Sequence, residues 1–112
     1  MAIAEAYSGT EAVSTTEWSM TSDTAGPDGE TADGVYQLWL DLSDMVTGDE
    51  LEIAIYETVS ASDRFMYTAH LVGVQPFPIW VSPTFVLTTG WDMTLLATAG
   101  TITVEWSIRA VT

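Results

Sequence analysis

The sequence contains no cysteine, no lysine and a single histidine; its only basic side chains are Arg64 and Arg109. Without cysteine, disulfides and thiolate metal sites are unavailable, which fits a reducing compartment or a particle assembled inside a cell. Two arginines set against sixteen carboxylates leave a formal net charge of -14. Nucleic-acid binding rests largely on cations that neutralise phosphates, so that class is set aside, and anionic membrane surfaces with it. No apolar run approaches the roughly 18 residues of a membrane span. No basic segment precedes an apolar one near Met1, so no secretory signal is expected.

A scarcity of chemistry-bearing side chains also narrows the catalytic options. A Ser-His-Asp group has only His70 to use, and no serine sits in a GxSxG elbow. Paired carboxylates suit glycoside hydrolysis, but among sixteen acids any one pair is uninformative. Asp23, Asp28, Glu30 and Asp33 share one Gly-rich loop, 23–33, and calcium prefers several oxygen ligands on such a segment; their spacing departs from the EF-hand pattern, and a solvated loop is the simpler reading. The expectation is a protein that is not an enzyme, with no cofactor and no metal.

What the chain does contain is alternation. Ile102, Val104, Trp106, Ile108 and Ala110 share one face of a strand, with Thr103, Glu105, Ser107 and Arg109 on the other. Tyr36, Leu38, Leu40 and Leu42 behave alike, as do Leu51, Ile53 and Ile55, and Phe65, Tyr67, Ala69 and Leu71. "TFVLTT" and "WDMTLLAT" are shorter β runs, and "EAVSTTEWSM" reads as one long polar edge strand. Residues 73–83 hold three of the four prolines, which argues against a central strand there. No segment carries a helical period. Seven to eight short strands predict an all-β chain, an antiparallel β-sandwich of jelly-roll or immunoglobulin-like type. At 112 residues this is one domain, 1–112, whose first ten residues are either a further strand or an N-terminal arm able to pair with a neighbour.

The charge is unevenly placed. Residues 1–56 hold twelve acids and no base; residues 57–112 hold four acids and both arginines. A basic partner or a saline medium suits such a chain. Arg109 lies on the polar face of its strand, where Glu50, Glu52 or Glu57 is the expected cross-strand partner; a place at a subunit contact is the alternative. Of the five tryptophans, Trp106 is expected in the core and Trp91 has no assignable side. Trp18, Trp39 and Trp80, with Arg64 and Arg109, are the candidate contact residues, since aromatics and arginine anchor interfaces. A sugar platform is the other use of exposed tryptophan.

The stretches "VSTTEWSM", "DGVYQLWLDLSDMVTGDELEIAIYE", "WVSP", "GWDMTLLATAGT" and "WSIRAV" resemble small structural proteins of tailed bacteriophages, over most of the chain outside 21–32. The resemblance implies a capsid decoration or cement protein. It would lie on the surface of the phage head after assembly in the host cytoplasm, bind the major capsid protein or other virion subunits, and form a homo-oligomer, a trimer above all. A carbohydrate- or receptor-binding sandwich of a phage fibre or turret is the second expectation.

Overall fold

A computed structural model describes residues 2–27, 32–59 and 62–111; the side chains of 58, 59 and 62–64 lie outside that description. Ten strands form: β1 (Ile3–Val13), β2 (Trp18–Ser19), β3 (Thr24–Ala25), β4 (Gly34–Asp41), β5 (Glu50–Val59), β6 (Ser62–Val72), β7 (Ile79–Val81), β8 (Phe85–Leu87), β9 (Asp92–Ala99) and β10 (Ile102–Val111). No helix occurs among the described residues. Sheet A runs β1-β10-β4-β7, with β8 also on β4, and sheet B runs β3-β2-β9-β5-β6. All pairings are antiparallel.

The order of pairing decides between the two sandwich types. β7 and β8 pair opposite ends of β4, so together they fill one strand position. With the two-residue β3 set aside, eight positions remain. The first pairs with the eighth, the second with the seventh, the third with the sixth and the fourth with the fifth. That is one long hairpin rolled into two sheets, the jelly roll. Residues 3–10 are consequently strand: β1 pairs with β10 from Ile3↔Val111 to Val13↔Ile102.

The inward faces are those the alternation marks. Leu38, Leu51, Ile53, Ile55, Leu95, Ile102, Val104 and Ile108 are completely buried between the sheets. Each such side chain contributes about 1.5–3 kcal/mol through the apolar surface removed from water. Trp106 lies in this core as expected, and its indole nitrogen donates to the Met20 carbonyl at 3.0 Å. The residue opposite it on β1 is Gly9, where an added Cβ would stand 2.5 Å from the indole. Only glycine leaves the ring its room.

Two strand readings need correction. "EAVSTTEWSM" is not one strand. β1 ends at Val13, the Ser14 carbonyl accepts from the Ala97 amide at 2.9 Å, and the chain crosses to sheet B as β2. Its Thr-Ser run has β propensity but no alternation to hold it to one sheet. Phe65 does not join Tyr67, Ala69 and Leu71 inside. Tyr67 pairs with Ile55 and Phe65 with Tyr56, so Met66 is an extra residue that turns Phe65 outward, 63% exposed and stacked on Tyr56.

Apart from the buried Asp49 and Asp92, the carboxylates of the described residues reach the surface. Among the described residues one ion pair forms, His70 to Glu50 at 2.9 Å. Self-repulsion of this kind is screened by salt. The melting temperature is therefore expected to rise as NaCl goes from low concentration to about 0.5 M, by the shortening of the Debye length. Differential scanning fluorimetry across that series checks it; a flat or falling curve contradicts it.

Candidate functional site

The outer face of sheet A holds the most differentiated surface of the molecule. Register places Glu5, Arg109 and Gln37 side by side across β1, β10 and β4. The next row outward is Ser8, Ser107, Trp39 and Val81, and the one after it Thr10, Glu105, Asp41 and Ile79. Small side chains on β1 beside a large one on β4 leave a groove of about 490 Å³ between them, floored by Ser8, Gly9 and Thr10 and flanked by Trp39 and Ile79.

A continuous set of contacts fixes its side chains. The Arg109 guanidinium lies over the Trp39 ring, 4.0 Å from the ring centre. Arg109 Nε donates to Ser107 Oγ at 3.3 Å, and Ser107 Oγ donates to Glu5. Trp39 Nε1 donates to Gln37 Oε1 at 3.1 Å, and Gln37 Nε2 donates to the Ser82 carbonyl at 2.9 Å. Cation–aromatic stacking contributes about 0.5–1 kcal/mol at a partly exposed site. The arginine is thus held by an aromatic face and a hydroxyl. The expected partners Glu50, Glu52 and Glu57 are all on β5, in the opposite sheet, so the carboxylate beside Arg109 in register is Glu5. Asp41, on the groove's other side, has its pKa lowered, because the Ser43 amide and then its hydroxyl donate to the carboxylate; it stays ionised there.

The other singled-out residues scatter. Trp80 pairs with Leu40 from β7 and packs against the core. Trp18 sits in sheet B, half-buried, its indole nitrogen donating to Asp23 at 3.1 Å. Arg64 lies opposite Glu57 in the backbone register, and its side chain is outside the described residues. Asp28 and Glu30 of the acidic loop also lie outside them. Among the described residues no three His, Asp or Glu side chains converge on a metal position. His70 is exposed on β6 and faces Glu50.

An apolar row escaped the sequence reading. Ile3, Val111, Val35 and Val86 are neighbours across all four positions of sheet A, on its outer face. Ile3 and Val86 are 62% and 79% exposed. At the opposite end of the face Ile79, Val81 and, just before them, Phe77 are exposed as well. Each residue alone is unremarkable at a strand end; only the register shows that they are contiguous.

On sheet B the outer face is covered along β9. Glu17 accepts from Tyr56 Oη and Thr94 Oγ1, both at 2.6 Å. Asp92 Oδ1 accepts from Ser19 Oγ, Thr21 Oγ1 and the Met93 amide at 3.0, 2.7 and 2.8 Å. Ser19, Asp92 and Thr94 are buried where the 14–26 segment meets β9. Burial, then the bond to Glu17, pushes the Tyr56 hydroxyl well above the ordinary phenol range, so it remains a donor. These carboxylates hold a polypeptide segment in place, with their acceptor positions turned to protein donors. Comparison with protein-family models, with curated proteins and with solved structures gave no match.

Proposed function

We propose that this protein is a non-enzymatic structural module that docks on a larger assembly through the outer face of sheet A, as a decoration protein on a phage head. The observation that carries this is the outward-facing row Ile3–Val111–Val35–Val86, exposed at both ends, together with the prearranged Trp39–Arg109 pair. Contiguous apolar surface with aromatic and arginine anchors is characteristic of protein contacts. An anchor already held in place loses little side-chain freedom on docking. The phage head, its shell protein and the virion location come from the sequence resemblance. The groove, with its carboxylates and hydroxyls, favours a second reading, a glycan site. Against that reading, Arg109 occupies the face of Trp39 on which a sugar would stack.

Copurification with intact particles, at a fixed copy ratio to the shell protein, tests the first reading. In it, Val86→Asp and Ile79→Asp are expected to weaken attachment by about 30-fold each, the size of a hot-spot loss. Both sites are exposed, so folding is expected to survive. Binding to a glycan array without binding to particles sinks the docking reading.

A further inference from the structure

The two sheets present four edges, and three of them are guarded against strand addition. β3 has two residues, and β7 and β8 have three each, too short to template a ladder. β1 is long, but its rim carries Glu5 and Glu11 and no basic residue. β6 is different. It spans eleven residues, holds no proline or lysine, and its single irregularity, at Met66, leaves Tyr67–Val72 in unbroken register with β5 and open on the other side.

The strand is also close to charge-neutral in a very acidic molecule, while β7 and β8 hold no charged residue at all. It contains one of the two arginines and the only histidine, against one acid, Asp63. His70 faces Glu50 of β5 at 2.9 Å, and Arg64 lies opposite Glu57 in register, so these two carboxylates of β5 each have a cationic or ionisable residue beside them on β6. Two copies of a -14 chain repel less if they meet here than along β1, the other long edge. The exposed apolar side chains sit at both ends of the open stretch, Met66 at one and Val72 at the other, 40% and 61% exposed.

We propose that β6 pairs with β6 of a second copy of this chain, antiparallel about a two-fold axis near Ala69. That register sets Met66 of one copy opposite Val72 of the other and Thr68 opposite His70. Pairs on one face keep to that face, as strand pleating requires. The contact is isologous, so it closes at two copies and joins the two B sheets into one ten-stranded sheet. It leaves the outer face of sheet A free, and it stands whether or not that face docks on a particle. It differs from the trimer implied by the sequence resemblance.

Light scattering in about 0.5 M NaCl, where repulsion is screened to a few ångströms, is expected to give twice the 12.1 kDa chain mass. One chain mass or three overturns the proposal. Met66→Glu and Val72→Glu each set an acid opposite an apolar side chain of the seam at an exposed position and are expected to return the protein to one chain mass, still melting in one cooperative transition. Ala12→Glu, exposed on the β1 edge, is expected to remain at two. If both β6 variants stay at two, the interface lies elsewhere and the proposal fails. Amide exchange over Tyr67–Val72 is expected to slow with protein concentration in the unaltered chain; exchange independent of concentration in a two-chain species also overturns the strand pairing.

Discussion

Trp91→Ala is expected to destabilise the fold by about 3–5 kcal/mol, the range for deleting a large buried aromatic. Trp91 has no exposed surface. Its ring meets Tyr7 edge-on at 5.9 Å and Tyr36 at 4.5 Å, so it joins β1 to β4 from the start of β9. Its indole nitrogen donates to the Ala32 carbonyl at 2.6 Å, which also accepts from Tyr36 at 3.0 Å. The two bonds fix the segment that leads into β4. Removal therefore empties a ring-sized volume and loosens the approach to a central strand. A domain of this size has about 5–15 kcal/mol in total, so the loss takes between about a fifth and all of it. Urea denaturation reads the change as a lower midpoint at constant slope. Trp91→Phe keeps most of the ring and loses the N–H bond, and is expected to fall between. Trp39→Ala, at a half-buried surface ring, is expected to cost far less stability. Equal losses for Trp91 and Trp39 contradict this account.

Trp91 also shows where sequence reading stops. Alternation exposes a strand's orientation only when one face meets water. β4, β10 and the start of β5 have such a face, and their inward residues can be read directly. β9 does not: Met93, Leu95 and Ala97 face the core while Asp92 and Thr94 are covered where the 14–26 segment meets the strand, so both faces are buried. The strand gives no contrast, and the tryptophan before it gives none either. Phe65 was misplaced for a local reason, one extra residue at Met66, which reverses the parity of everything beyond it.

The groove was half legible. Trp39 and Arg109 stood out by residue type, but seventy positions separate them. That β4 and β10 are neighbours follows from how the hairpin rolls, and the Ser107–Glu5 contact spans 102 positions. Periodicity within a strand holds no information about its neighbour. The wrong carboxylate was assigned to Arg109 for the same reason, and the row Ile3–Val111–Val35–Val86 could not be assembled.

Asp92→Ala is expected to cost about 3 kcal/mol, through donors rather than through volume. One carboxylate oxygen accepts from Ser19, Thr21 and the Met93 amide, and Ser19 and Asp92 are almost wholly buried. Each donor left without an acceptor and without water costs about 1–3 kcal/mol. Loss of a buried charge that was itself expensive to desolvate offsets part of this. The sum depends on whether the 14–26 segment can lift and let water reach the orphaned hydroxyls. If it lifts, amide exchange at Met20 and Asp23, whose amides bond to Met93 and Ser19, is expected to speed up before the rest of sheet B. If it stays down, the full penalty appears in the denaturation midpoint instead. Ser19→Ala removes one donor together with its need for an acceptor, so in the Asp92→Ala background it is expected to be nearly neutral, although it is destabilising alone. Additive losses in that double-mutant cycle, or a midpoint unchanged in Asp92→Ala, would show that the carboxylate does not hold the segment to β9.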